Sequence, residues 1–253
     1  SSSAASDVYK RQIYIYHGWV NKNSVKILFF LIFSVIFAKD QSWDEMLLYK
    51  ASFSGVDVAT ATLKSKKFKN IQNQNILRIE FEAKSKPSLK YIFPINDKII
   101  IDVDLNTWQP LRVNKKIREG NYKQNSFSTY DHKNKMFFYK KDSISYNGQI
   151  FNPFSLIYYF RTLDFSSDAN YEIQVVDNKK VTPLKFFADK KMKTKTALGK
   201  FYANKIWPKK MNGEPFKNAG KITMWISDGE KLPIIINLKM KFGSLNLELV
   251  KIN

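Results

Sequence analysis

The stretch that decides the fold lies near the C-terminus, at Leu232–Leu249, and reads LPIIINLKMKFGSLNLEL. Apolar side chains recur at every second position on both sides of Gly243-Ser244, which is the pattern of half-buried β-strands. Glycine accepts the positive φ of a tight turn, so the pattern predicts an antiparallel hairpin that turns at Gly243-Ser244. In that register Phe242 and Leu245 pair across the turn and share a face.

The same alternation of apolar and polar residues extends through most of the chain. Met46–Phe53 and Val56–Leu63 flank Ser54-Gly55 and predict a second hairpin. Further alternating stretches lie at 77–84, 99–105 and 222–227. Because these strands have one polar face, they favour an antiparallel sheet over parallel βαβ units. The sequence therefore predicts a mainly β protein.

One segment has the pattern of a helix instead. Asn152 can cap it, Pro153 suits its first turn, and apolar residues then follow at helical spacing, which predicts a helix over 153–163. A second short helix is predicted to begin at Ser88. The lysine clusters Lys64–Lys69 and Lys190–Lys195 are interpreted as solvated loops.

A short apolar segment near the N-terminus has the layout of a secretory signal peptide. Lys22 and Lys26 precede the apolar run Ile27–Ala38, which is shorter than the roughly 20 residues that cross a bilayer. We expect a signal peptide at 20–38 that is cleaved after Ala38, although an uncleaved anchor or a buried helix has the same pattern. The remaining residues, 39–253, are expected to form a single β-rich domain. Residues 1–12 resemble a translated sequencing-adaptor artefact and do not enter the fold argument.

The chain is strongly basic, with a net charge of +20, and its positive charge comes mostly from lysine. Arginine is scarce, although it is the residue that makes bidentate contacts with phosphates and bases. Together with the expected export, this argues against nucleic acid as a partner. The charge would instead favour peripheral contact with an anionic membrane surface.

Residues able to carry out catalysis are few. The 253 residues contain no cysteine and two histidines, so we expect no catalytic residue, no metal site, no cofactor and no enzyme activity. Asp102 and Asp104 share one face of a predicted strand, about 7 Å apart. Such a pair could serve glycan hydrolysis or a calcium site, or it could lie on a solvent-facing edge.

Arg161 is unusual because it ends an apolar helical stripe. It would form a buried ion pair with a carboxylate such as Asp164 or Asp228, or it would anchor an acidic headgroup. The aromatic residues of the same segment are either core residues or the lining of a lipid-sized groove between helix and sheet: Phe154, Tyr158, Tyr159 and Phe160.

Three motifs resemble the bacterial domain-of-unknown-function family 3108. Asn152–Arg161 (NPFSLIYYFR) is similar to that family's Asp-Pro-x-Ser-x-x-Tyr-Tyr-x-Arg helix, and Trp225–Pro233 (WISDGEKLP) is similar to its Trp-x-Ser/Thr-Asp-Asp…Pro strand and turn. The third motif is Gly243-Ser244 with the last leucine-rich strand. Asn152 and Gly229 replace two aspartates of the family pattern, which weakens a catalytic role for those carboxylates.

The resemblance implies an exported, periplasmic envelope protein. It also implies an architecture similar to the half-barrels of lipoprotein-localisation carriers, in which a curved antiparallel sheet wraps one central helix, here near 153–163, and leaves an apolar cavity. The predicted ligand-binding residues are Phe154, Tyr158, Tyr159, Arg161, Trp225 and Asp228.

Three functions remain open from the sequence. The first is a binding module for a lipid or another apolar envelope molecule. The second is a structural or assembly factor that acts through contacts with an envelope protein partner. The third is a carboxylate-dependent glycan hydrolase, which would require Asp102 or Asp104 to meet another carboxylate in a cleft.

Overall fold

The computed structural model describes residues 43–92, 94–165, 170–211, 221–240 and 243–253. The predicted signal peptide at 20–38 and residues 1–12 lie outside these ranges. In the described part, no helix has the length and apolar character that a membrane span requires.

Sixteen strands of the described residues form one sheet. The first eight are β1 (Glu45–Phe53), β2 (Val56–Lys69), β3 (Asn75–Ser85), β4 (Asn96–Asp104), β5 (Pro110–Glu119), β6 (Tyr122–Asp131), β7 (Met136–Tyr139) and β8 (Asp142–Ser145). The others are β9 (Ile150–Phe151), β10 (Asn170–Asp177), β11 (Lys180–Ala188), β12 (Met192–Thr196), β13 (Gly199–Lys210), β14 (Lys221–Ser227), β15 (Pro233–Met240) and β16 (Gly243–Ile252). The helix α1 (Pro153–Phe160) follows β9.

The strand order is β8-β7-β6-β5-β4-β3-β2-β1-β16-β15-β14-β13-β11-β10-β9, and β12 pairs with β13 off this path. Neighbouring strands are antiparallel, apart from β9 and β10, which run parallel. The prediction of a mainly β, antiparallel protein is therefore confirmed.

The predicted hairpin at Ser54-Gly55 is confirmed. Phe53 pairs with Val56, and the two turn residues have φ values of 47° and 89°. Positive φ at both positions is the geometry of the tight turn whose twist matches that of the flanking strands.

The C-terminal hairpin forms, but its predicted turn is wrong. Leu238 pairs with Leu245 and Met240 pairs with Gly243, so β16 begins at the glycine that was expected to turn. Leu245 therefore does not pair with Phe242, which lies outside the described residues. An alternating pattern fixes the face of each residue but tolerates an even shift of the pairing, here by four residues for the partner of Leu245. The observed register keeps Leu238 and Leu245 on the same face as the buried Ile236 and Leu247.

The lysine clusters belong to strands rather than to loops. Strand β2 continues to Lys69, and β12 covers most of the second cluster. In β2, the exposed Lys64 and Lys66 alternate with the buried Leu63 and Ser65. The lysines are solvated, as expected, but on the outer face of a sheet.

The helix predicted at Ser88 does not form. Residues 87–92 form successive turns, with hydrogen bonds from Leu89 N to Lys86 O (2.9 Å) and from Ile92 N to Leu89 O (3.1 Å). Tyr91 and Ile92 are exposed. Without a buried apolar face, so short a helix has no packing to offset the cost of its nucleation.

Helix α1 begins as predicted and ends three residues early. Asn152 Oδ1 accepts a hydrogen bond from Phe154 N (3.0 Å), and the Asn152 N–H donates to Ser155 Oγ (3.0 Å), which together form a capping box. Beyond Phe160 the chain makes tighter turns, including one from Thr162 N to Tyr159 O (3.0 Å). The helix is thus one of about two turns.

The sheet curls around this helix. Phe154 contacts Phe81 of β3 and Phe160 contacts Phe186 of β11, with ring centroids 4.8 and 5.0 Å apart. Strands β3 and β11 are seven steps apart in the strand order, which is about 34 Å in a flat sheet. The helix is only about 12 Å long. Both contacts are possible because the inner face of the sheet is concave.

The two ends of the curled sheet meet along a seam made of side chains. Lys115 of β5 forms an ion pair with Asp177 of β10, and Gln124 Nε2 of β6 donates to Asn178 Oδ1 (2.7 Å). A small buried apolar cluster crosses the same boundary and contains Phe137, Tyr139, Tyr146, Ile150 and Val176. Among the described strands, no backbone ladder joins β5–β8 to β9–β11.

Candidate functional site

A cavity of about 400 Å³ lies between the concave face of the sheet and the first half of α1. Its wall is mostly apolar and combines strands β1–β5 with β14–β16. The sheet contributes aliphatic and aromatic side chains: Tyr49, Leu63, Phe81, Ile95, Ile99, Ile117, Ile222, Ile236, Leu238, Leu245 and Leu247.

Four alanines create much of this volume. Ala51 pairs with Ala59 across β1 and β2, and Ala61 pairs with Ala83 across β2 and β3. All four line the cavity. These two cross-strand pairs lie side by side, and alanine has a very short side chain. The inner face of the sheet is therefore recessed at the alanines, whereas the surrounding positions project leucine, isoleucine and aromatic side chains.

The helix forms the opposite wall. Pro153, Phe154 and Ile157 face the cavity, and the capping residue Asn152 lies at its edge. The capping box fixes the first turn of α1 and so sets the position of the Phe154 ring over the sheet. The prediction of an apolar space between sheet and helix is supported at this place.

The side of the cavity at β5 and its two neighbours, β4 and β10, carries charged side chains, and it is called the polar end below. Asp97, Lys115, Glu119 and Asp177 line it. The backbone N–H of Arg118 donates to Asp97 Oδ1 (2.7 Å). Desolvation of the Glu119 carboxyl group, its hydrogen bond with Asp97 and the charge of Asp97 raise the pKa of Glu119 to about 7. Near neutral pH, this end can therefore both donate and accept hydrogen bonds.

Of the six predicted ligand-binding residues, Phe154 lines the cavity and the others lie elsewhere. Tyr158 and Arg161 belong to a buried cluster next to it. The Arg161 guanidinium lies over the rings of both Trp43 and Tyr158, 5.1 and 5.0 Å from their centroids. The Tyr158 hydroxyl is buried, and among the described residues it has no hydrogen-bond partner.

The ion-pair partner of Arg161 is Glu45, not Asp164 or Asp228. Both Glu45 oxygens accept from the guanidinium, one of them at 2.9 Å from Nη2, and Nε donates to the Lys231 carbonyl (2.9 Å). Burial lowers the pKa of Arg161, but Glu45, with smaller effects of Tyr158 and Tyr49, raises it, and the net shift is upward. Arg161 thus stays charged and fully engaged within the protein.

The remaining predicted residues are dispersed. Tyr159 packs on Phe151, with ring centroids 4.8 Å apart, at a separate surface hollow beside β10. Trp225 lies on the outer face of β14, opposite the buried Met224. Asp228 pairs with Lys191 at the surface (2.6 Å). The structure therefore does not bring the six residues together.

Asp102 is not on the solvent-facing edge that the sequence left open. It is 3% exposed, and its carboxylate accepts from Arg78 Nε (2.7 Å), Arg78 Nη2 (2.9 Å) and Arg112. Asp104 instead caps a turn by accepting from Asn106 N (2.7 Å). The described residues hold no cluster of three or more acidic, histidine or cysteine side chains with metal-binding geometry.

His132 belongs to a hydrogen-bond network within the protein. Nε2 lies 2.7 Å from the Pro110 carbonyl and Nδ1 lies 2.6 Å from the Tyr146 hydroxyl. A carbonyl can only accept, so Nε2 carries the proton and Nδ1 accepts from tyrosine. Desolvation lowers the pKa of His132, which keeps this arrangement neutral.

Sequence reasoning missed the alanines and the polar end of the cavity. Ala59 and Ala61 alternate with Thr60 and Thr62 in β2, so a run of small residues on an inward strand face was a readable signal. Lys115 and Asp177 come together only through the curl of the sheet and carried no local signal.

Comparison with known proteins identifies a family and a fold. The family model described as "Protein of unknown function (DUF3108)" matches residues 48–250. The crystal structure of a β-barrel-like protein of DUF1849 from Brucella abortus is similar, with a TM-score of 0.55 and 11% identity over 83% of this chain and 96% of that one. At this identity the likeness concerns the fold alone. No curated protein matches the chain.

Proposed function

The chain belongs to the DUF3108 family of proteins of unknown function, and we propose that it is a periplasmic envelope protein that binds an amphiphilic molecule. The apolar part of this molecule occupies the cavity between sheet and helix, and its polar group lies at the end lined by Asp97, Lys115 and Glu119. The observation that carries the proposal is the apolar cavity of about 400 Å³, which is within the range of ligand pockets.

Burial of apolar groups supports an occupant. Most of the cavity wall is aliphatic or aromatic, and each CH₂ group of a ligand that is buried against such a wall contributes about 0.8 kcal/mol.

The polar end favours an amphiphile over a plain hydrocarbon. A hydrocarbon would leave the Lys115–Asp177 pair and the carboxyl groups of Asp97 and Glu119 in contact with apolar atoms, and such desolvation is unfavourable. A polar group at this position can bond to them instead. The location in the envelope rests on the signal-peptide pattern of Lys22–Ala38.

Native mass spectrometry with lipid extraction tests this function. We expect the protein purified from an envelope fraction to carry a discrete bound mass. Ala61→Phe places a large ring between Tyr49 and Ala83 in the cavity wall, and it should abolish the bound mass while the circular dichroism spectrum stays that of a β protein.

Thr60→Phe is the matched control, because Thr60 is exposed on the opposite face of the same strand. It should keep the bound mass. A wild-type protein with no bound mass, or an Ala61→Phe variant that binds as the control does, would show that the cavity is not a ligand site.

A further inference from the structure

A second surface of the molecule combines lysine and aromatic side chains on the outer face of strands β11, β13 and β14. We define the aromatic–lysine face as Phe187, Trp207 and Trp225 with Lys185, Lys205 and Lys209. Lys205 lies over the rings of both tryptophans, 5.4 and 6.0 Å from their centroids. Lys185 and Lys209 both lie over Phe187, at 6.0 and 5.1 Å.

The charge on this face is poorly compensated. Lys185 and Lys209 are direct cross-strand partners, and like charges at such positions destabilise a sheet. The nearby carboxylates are loosely placed, with Glu172 3.9 Å from Lys185 and Asp189 3.6 Å from Lys205. The face is therefore positive.

The outer face of β2–β4 is built differently, although it is also rich in lysine. There Lys98 lies 2.7 Å from Glu82 and 4.0 Å from Glu80, and Lys84 lies 3.6 Å from Glu82. Lys98 thus has a cross-strand carboxylate, Glu82, within hydrogen-bond distance, which no lysine of the aromatic–lysine face has among its ion pairs given above. On the aromatic–lysine face, the β14 partner of Lys205 is Trp225 rather than a carboxylate, and Lys209 pairs with Lys185.

We propose that the aromatic–lysine face docks the protein on an anionic phospholipid surface. Lysine suits the diffuse charge of headgroups, because it is a flexible point charge whose stem can lie along apolar groups. Tryptophan prefers the boundary between apolar and wet regions. The outside of a sheet also offers a broad surface rather than a groove.

The same geometry argues against single-stranded nucleic acid as the occupant. Nucleic-acid bases stack on exposed ring faces. Here lysines of the protein cover those faces, and the three rings are half-buried in the sheet. A membrane needs only the ring edges and the ammonium groups.

Co-sedimentation of the full chain with vesicles tests this proposal. Vesicles that contain phosphatidylglycerol should bind the protein at low salt, and high salt or pure phosphatidylcholine should weaken binding. Each lysine at an anionic surface contributes about fivefold in affinity, so K205Q/K209Q should bind about 30-fold more weakly.

K64Q/K66Q is the matched control, since it removes the same charge from exposed lysines on the outer face of β2. It should bind within about twofold of wild type. All three proteins contain the apolar segment Ile27–Ala38, so that segment cannot explain a difference between them. Equal binding by all three, equal loss in both variants, or a preference for single-stranded DNA over the vesicles would each overturn the proposal.

Discussion

Replacing Glu45 by glutamine should destabilise the protein strongly. The side chains of Arg161 and Glu45 are 1% and 11% exposed, and the carboxylate accepts two hydrogen bonds from the guanidinium. Glutamine keeps the shape but removes the charge, so Arg161 remains buried without a counter-ion. Breaking one side of a buried pair costs about 3–5 kcal/mol.

The other contacts of Arg161 do not change this expectation. The Lys231 carbonyl and the rings of Trp43 and Tyr158 contact the guanidinium in both proteins, so they cancel in the difference. For a domain of this size, a loss of 3–5 kcal/mol lowers the melting temperature by roughly 6–20 °C. Urea unfolding followed by circular dichroism measures the free energy directly, with an unchanged slope expected.

Glu82→Gln is the control, because Glu82 forms an exposed ion pair with Lys98 and its loss should cost less than about 1 kcal/mol. A Glu45→Gln loss no larger than the control would refute the reasoning. The double variant Glu45→Leu with Arg161→Met should be less destabilised than either single change, because it removes both charges from the interior.

Two further changes test the polar end of the cavity and the helix cap. The pKa of Glu119 is raised from 4.5 to about 7, so between these pH values the folded protein binds more protons than the unfolded chain. The contribution of Glu119 to the stability of the fold is therefore complete below pH 4.5 and is lost as the pH rises through about 7. Glu119→Gln should abolish this slope of melting temperature against pH, and an identical slope would show that another group causes it. Asn152→Ala should lower the free energy of unfolding in urea by about 1 kcal/mol, because the capping box is lost. The control is Asn114→Ala, at an exposed position of β5, which should change this free energy by less than about 0.5 kcal/mol. Equal effects of the two alanine variants would argue against the cap.

Local features were predictable from the sequence. The Ser54-Gly55 hairpin and the start of α1 depend on residues within a few positions of one another, and turn and capping chemistry decides both. The alternation of β15 and β16 gave the correct faces. It could not give the turn, because any even shift of the pairing, here four residues, leaves the side chains on the same face.

The candidate site was predictable only in part, because curvature assembles it. Phe154 was found through the helix on which it lies. The partner of Arg161 was missed because Glu45 is 116 positions away in the chain. Asp102 looked like a surface residue because Arg78 and Arg112 flank it only after β3 and β5 pair with β4.

The seam between β5 and β10 resists separation less than the paired strands of the sheet do. Pulling apart two strands elsewhere breaks a ladder of backbone hydrogen bonds, whereas parting β5 from β10 separates side chains such as Lys115 and Asp177. The side chains of Lys115 and Asp177 are 12% and 56% exposed, so a partly buried ion pair and a few other side-chain contacts hold this line closed. Lys115 and Asp177 also line the cavity. The softest edge of the sheet thus borders the cavity, and widening it there leaves every strand pairing intact.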